Sequence, residues 1–342
     1  HPEFDVAEIA VVVPHDKRFE FSYAAEHVSN DSAIRVLLEC IKSLERAAEL
    51  GIGENHQASI QWIHNEIAAL EKLRGAYPGM GSALCAFGIE KGHFVAAEII
   101  NQLKDDKDNP WLLFEKALDN PKGILSDAVA ALIPFNSKKL YQRLKEKATP
   151  TRIKFLHLLS RFDLSIEQAT FLFVEEEREK LGIQRNDADY LANPYLIYED
   201  LRHTLTPVAL TTIDLGLYLK NPPSDILPDN LIYDDPFEIH RIRALTIQQL
   251  EWAALQGHTL LPRKEIIKQI RDLSISPACA INSDYYELAE ECFAGSIVLE
   301  EMKDGERAYQ LQRFTQTREI ISQKIIDRIN GKRLTLEADW AT

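Results

Sequence analysis

Residues 73–89 read LRGAYPGMGSALCAFGI, and the way the chain turns here decides the architecture. A helix runs into Tyr77-Pro78-Gly79-Met80-Gly81, and a second helix leaves through Ser82, Ala83, Leu84 and Ala86. Pro78 stops the incoming helix, because its ring clashes with the preceding turn. Gly79 and Gly81 permit backbone angles that a side chain penalises, and they let the chain approach another molecule closely. The small residues that follow allow two helices to pack tightly. The spacing predicts a helical hairpin with turn N–H groups facing outward at a helix N-terminus, where they can bind a phosphate. A plain tight turn in an all-helical protein is the simpler alternative.

The turn resembles the Pro-Gly-x-Gly of the helix-hairpin-helix motif, a small unit that binds the DNA backbone. On that resemblance Gly79, Met80 and Gly81, entered through Pro78, hold one phosphate by their amides, and Lys72 and Arg74 supply charge beside them. Two later segments share the outline. Residues 158–169 keep the helix, short turn and alanine, and residues 193–217 repeat them with His203-Thr204-Leu205-Thr206-Pro207 at the turn. Together they suggest a degenerate internal repeat. Both lack the glycines, so they read more simply as scaffold hairpins than as phosphate sites.

The 342 residues carry a net charge of −14, which argues against a general nucleic-acid coat protein. Phosphate binding needs local rather than global positive charge, however. Lys138, Lys139, Arg143, Lys145, Lys147, Arg152, Lys154 and Arg161 lie in one stretch whose only acid is Glu146. This stretch reads either as a solvated helix face or as a strip that follows a phosphate backbone, and its residues 138–154 are the further DNA-binding candidates. With 45% hydrophobic and 27% charged residues the chain can build sizeable cores. No apolar run is long enough to span a bilayer and no signal peptide is visible, so a membrane is not an expected partner. Cys40, Cys85, Cys279 and Cys292 are scattered, as reduced thiols of a cytoplasmic protein would be. The start at His1 and the end at Trp340-Ala341-Thr342 look like those of a piece cut from a longer protein.

Along the chain, residues 9–13 (IAVVV) read as a strand that could pair with residues 19–23. Helices follow over residues 30–50, 57–73, 93–103, 110–118, 125–133 and 137–148. Ser165 and Gln168 form a capping box for a helix running to Lys180. Residues 221–235, with three prolines and four acids, read as a linker. After it come helices over 236–256, 262–273 and 284–292, then strands over 297–301 and 307–312 around Asp304-Gly305, then a long helix from Thr315 to Gly331. Three helices followed by a two-stranded wing is a winged-helix pattern.

This order is similar to the N-terminal region of RecD-like helicases, the exodeoxyribonuclease V alpha-chain family. The resemblance covers roughly residues 70–335. It rests on Asn193-Pro194-Tyr195-Leu196, Asp234-Asp235-Pro236 and Gly257-His258-Thr259-Leu260-Leu261-Pro262-Arg263, in that order. It implies a mainly α chain, with a tandem helix-hairpin-helix-like helical region at 71–220 and a small winged-helix-like α+β domain at 221–335. Residues 1–70 form an N-terminal α/β piece of unknown role, and residues 336–342 would begin a motor domain. The implied partners are single-stranded or forked DNA, held without sequence preference, and the chain's own motor or a partner subunit. No Gly-x-x-x-x-Gly-Lys-Ser/Thr occurs, so ATP and magnesium belong to the motor and this chain needs no cofactor of its own.

Other chemistry is sparse. Glu175-Glu176-Glu177 and Glu290-Glu291 read as solvated faces, Asp105-Asp106-Lys107-Asp108 as a charged turn, and His258 as a turn-fixing or half-buried residue. Trp62, Trp111, Trp252 and Trp340 are expected in cores. No catalytic residue and no metal site is expected. A metal nuclease around Asp16, Lys17, Glu20 and Glu26 is the third reading, after a DNA-binding accessory region and a protein-docking scaffold.

Overall fold

The computed structural model describes residues 5–13, 21, 28–105, 108–146, 151–223 and 225–331. Among these are eighteen α-helices and one three-stranded antiparallel sheet, so the chain is mainly helical, as its periodicity predicts. It divides into two compact units, residues 1–238 with 273–279, and residues 239–272 with 280–342. The expected boundaries at 70/71 and 220/221 do not coincide with this division.

The first unit holds α1 (Asn30–Glu49), α2 (His56–Arg74), α3 (Met80–Phe87), α4 (Gly92–Asn101), α5 (Pro110–Asp119), α6 (Pro121–Ile124), α7 (Asp127–Ala130), α8 (Ser137–Glu146), α9 (Thr151–Leu159), α10 (Ile166–Phe173), α11 (Glu175–Lys180), α12 (Asp187–Ala192), α13 (Leu196–Leu201) and α14 (Leu210–Leu217). Local signals set their ends. Ser29 Oγ accepts the Ser32 N–H at 3.2 Å to open α1. Asn109 caps α5, with Pro110 in its first turn. The Ser165–Gln168 capping box opens α10. Apolar residues at helical spacing do the rest, and Ile34, Ile41, Ile60, Ile63 and Ile67 join α1 to α2.

Three expectations fail here. Residues 9–13 form no strand; they follow a 3-10 turn at Val6–Glu8, with Val11 and Val12 exposed. A strand needs a neighbour to complete its hydrogen bonds, and of the expected partner segment only Phe21 is described. The helix from Ser165 breaks at Val174, which is extended, into α10 and α11. Of the tryptophans only Trp111 is core. Trp62 and Trp252 are exposed because isoleucines fill the inner face of α2 and aliphatic residues that of the later helix, and Trp340 lies outside the described residues.

The turn of the second hairpin, α9–α10, packs against the turn of the first, α2–α3, and against the last turn of α14 in the third, α13–α14. Gly79 N–H donates to Ser160 O at 3.0 Å. A Cβ on Gly79 would lie 1.9 Å from Phe162 O, and one on Gly216 of α14 would lie 2.4 Å from the Phe162 ring. Backbone therefore touches backbone where only glycine fits.

The second unit runs α15 (Ile239–Leu255), β1 (Leu261–Pro262), α16 (Arg263–Arg271), α17 (Ser283–Ala289), β2 (Ile297–Glu301), β3 (Arg307–Leu311) and α18 (Gln312–Asn330). The sheet order is β1-β3-β2, with Leu299 opposite Tyr309 and Leu261 on the other side of Tyr309. Tyr286, Phe293 and Tyr309 pack edge to face at 5.4–5.8 Å between centroids, over Ile242, Leu245, Ile266 and Ile270. His258 is exposed rather than half-buried, and its backbone N–H bonds Ala253 O at 2.8 Å beyond α15.

The glycine contact gives the first prediction. Gly79→Ala should destabilise the first unit by at least about 2–3 kcal/mol, because the clashing atom is backbone and cannot rotate away. Urea unfolding followed by circular dichroism measures it, and an unchanged midpoint would show that the hairpins do not touch there.

Candidate nucleic-acid interface

The first hairpin turn does not face solvent. Gly79, Met80, Gly81 and Ser82 are buried, and Pro78 is half-buried. Gly79 N–H is committed to Ser160 O, Met80 N–H to Tyr77 O at 3.2 Å, and Ser82 Oγ–H to Leu164 O at 2.7 Å. A side chain on Gly81 would strike the His93 ring. The expectation that these amides point outward at a phosphate is corrected accordingly. The close approach that demands glycine is made to the second hairpin of the same chain.

Arg74 is corrected in the same way. It is buried, with Nε 2.6 Å from Asp31 Oδ1 and Nη2 donating to Arg161 O at 3.0 Å. Arg161 is fully buried in turn. Its guanidinium donates to Gly216 O at 3.1 and 2.8 Å, to Pro228 O at 3.1 Å and to Leu231 O at 2.7 Å. Burial pulls its pKa down to about 10, so it stays charged at neutral pH. Tyr77 Oη accepts the Leu227 N–H at 3.1 Å. These residues tie the hairpins to the extended segment that follows α14. Of the candidates around the first turn, Lys72 alone is exposed.

The basic stretch divides. Lys138 pairs with Asp119 and Lys145 with Glu115, both at 2.9 Å. Arg152 is drawn inward, 3.0 Å from Asp187 and stacked over the Phe173 ring at 3.9 Å. Lys139, Arg143 and Lys154 are exposed and make no ion pair among the described residues; Lys147 lies outside them. Lys139 and Arg143 are four residues apart on α8, opposite its buried Tyr141, so they share an outward face. The acids that neutralise the others lie 19 to 35 positions away in sequence, which is why the stretch reads as more basic than its surface is.

Beneath α8 sits a buried polar cluster. Tyr141 Oη lies 2.9 Å from His157 Nε2 and 3.2 Å from Glu115 Oε1, and Trp111 Nε1 donates to Ser160 Oγ at 2.9 Å. Burial, with Lys145 nearby, lowers the His157 pKa to about 3, so its ring is neutral. Burial and Glu115 push the Tyr141 hydroxyl up.

No protein-family profile, curated protein or solved structure matches the chain. The functional reading therefore rests on the geometry. Among the described residues no group of three or more His, Cys, Asp or Glu is placed to hold a metal ion, and no helix is long and apolar enough to cross a membrane. Asp16, Lys17, Glu20 and Glu26 lie outside the described residues.

The second unit contributes cations that the sequence reading did not single out as a site. Lys264, Lys268 and Arg271 project from one face of α16, whose other face buries Ile266 and Ile270. They border an open cleft of about 970 Å³ that reaches the β2–β3 turn. The i, i+4, i+7 spacing was the available signal. By contrast, α17 turns Asp284, Glu287, Tyr285 and Leu288 to solvent.

Two predictions follow from the buried arginine and histidine. Arg74→Met should cost about 3–5 kcal/mol, since it strands the Asp31 carboxylate in the interior, whereas Lys139→Met should stay within about 0.5 kcal/mol; paired denaturant titrations compare them. The His157 value lies below that of an unfolded histidine, so the unfolded chain binds this proton first as pH drops. Stability from this group is complete above about 6.5 and declines toward about 3, by up to about 1.4 kcal/mol per pH unit. Thermal melts of His157→Gln across that window should be flatter than those of the parent chain.

Proposed function

We propose that this chain is the non-catalytic, DNA-holding accessory region of a RecD-like helicase. The observation that carries the reading is the order of parts. Three helical hairpins pack around Phe162, and a helix–strand–helix–helix–strand–strand unit follows. That order agrees with tandem helix-hairpin-helix-like units followed by a small winged-helix-like domain.

In this reading the hairpin turns are scaffold. Sequence-independent contact with the DNA backbone comes from side chains left exposed and unpaired, Lys139 and Arg143 on α8 and Lys154 on α9. Such contacts position a strand without reading its bases. The partner is single-stranded or forked DNA, and the chain's own motor or a partner subunit supplies ATP and magnesium chemistry. The setting is cytoplasmic; all four cysteines are free thiols.

A second reading, a docking scaffold, is favoured by one observation. Ile320, Ile321, Ile325, Ile326 and Ile329 of the 19-residue α18 are all exposed, and most helical stability in proteins comes from a packed apolar face.

Fluorescence anisotropy with labelled single-stranded, duplex and forked DNA separates the two. The accessory reading expects binding to single-stranded or forked DNA that weakens steeply between about 50 and 200 mM salt and falls severalfold in Lys139→Glu/Arg143→Glu. A folded chain that binds no DNA form would sink this reading in favour of the scaffold.

A further inference from the structure

We propose that the cleft between α16 and the β2–β3 turn is where the second unit grips the backbone of a single nucleic-acid strand. The inference rests on the DNA-holding reading and assigns it a second contact site, separate from α8 and α9.

The placement of charge is the first argument. Lys264, Lys268 and Arg271 recur at i, i+4 and i+7, so their stems leave α16 on one side over a rise of about 10 Å. That length matches two or three successive phosphates. The rigid seating of the helix is the second. Ile266 and Ile270 are fully buried on the opposite side, so the stripe is held on a fixed rod rather than a mobile loop.

Availability is the third. Lys268 and Arg271 are exposed and have no acidic partner at ion-pair distance among the described residues. Lys264 lies 3.5 Å from Glu306, but its side chain is 88% exposed. An exposed pair of that kind contributes about 0–1 kcal/mol and exchanges readily for a phosphate.

Two carboxylates behind the cleft's lining are already matched by its arginines. Glu287 is bonded by Arg263 at 3.1 Å and by Arg307 at 3.4 Å, and Glu290 by Arg307 at 3.2 Å. These arginines hold the Glu287 carboxyl below its usual range. Arg263 and Arg307 also line the cleft, but their charge is matched by Glu287 and Glu290, so the cations it offers an anion are Lys264, Lys268 and Arg271, beside Asp272, Asp304 and Glu306. The outward side of α17 and of the turn after it has the opposite character, with Asp284 and Glu291 exposed. A polyanion is therefore steered to the α16 side of the unit and away from α17.

The shape selects among polyanions. The site is a concave groove of about 970 Å³. A flexible single strand can enter a groove, whereas a bilayer surface meets flat or convex faces. A basic groove that tracks a backbone is the usual electrostatic element of single-strand binding.

The test uses the full chain and a labelled single-stranded 20-mer of mixed sequence, read by anisotropy over a salt series. Four proteins are compared: the parent, K264E/K268E/R271E, K139E/R143E/K154E and K268Q/R271Q. Circular dichroism and thermal melts establish that each is folded, and K268Q/R271Q removes charge without adding repulsion. The groove predicts at least a tenfold loss of affinity in the α16 reversal and a smaller loss of the same sign in K268Q/R271Q. The slope of log K against log salt should become shallower by about 2, or roughly 0.7 for each contact removed. If the α16 reversal binds within twofold of the parent while the α8–α9 reversal loses binding, the groove is wrong and the DNA-holding reading stands. If the parent binds no single strand, duplex or fork, both fall together.

Discussion

The turn formed by Ser160, Arg161 and Phe162 is the point on which the first unit depends. Its carbonyls and ring are approached from one side by Gly79 and from the other by Gly216, at distances that admit no Cβ. Its guanidinium reaches past both to carbonyls of Gly216, Pro228 and Leu231. A charged group in the interior is tolerated only when its donors are satisfied. Arg161 meets that condition with main-chain oxygens rather than with a carboxylate, so its position fixes backbone, not merely side chains. Arg74, itself paired with Asp31, closes the set by donating to the Arg161 carbonyl.

This constraint changes what the first hairpin can do. A glycine-rich turn at a helix N-terminus offers amides to whatever approaches, and either a phosphate or the carbonyls of a neighbouring turn can accept from them. Here the neighbouring turn occupies that place. The electrostatic character of the molecule then moves to exposed side chains. Cations that survive unpaired on α8, α9 and α16 stand out against a chain of net charge −14, because most of their basic neighbours are matched with acids.

Much of the fold was legible in the sequence, and for reasons that can be named. Helix periodicity, Pro110 at a first turn, the Ser165–Gln168 box and Asp304-Gly305 between two apolar runs are local signals, and each marks an element that is present. What was not legible is non-local. Nothing near Arg74 announces Asp31, 43 positions earlier, and nothing near Lys145 announces Glu115. The valines at 11–13 carry a strand propensity that only a neighbouring strand could realise. For the candidate site the lesson has two sides. Gly79 and Gly81 were correctly read as places of close approach but assigned the wrong visitor. The stripe on α16 is visible in the sequence only as the i, i+4, i+7 spacing of Lys264, Lys268 and Arg271.

The same lock bears on how the chain reaches its native state. Helical proteins usually fold fast because their contacts are local in sequence. In this unit the bonds that set the hairpins against one another and against the segment after α14 join residues 87, 55 and 70 positions apart. Long loops must close before those bonds can form, and the entropy of closure is lost before any of them contributes. The individual hairpins can form in microseconds, but their docking around Phe162 is a late, collective event. The unit is thus helical in content, while the contacts that fix its hairpins are as non-local as those of a sheet.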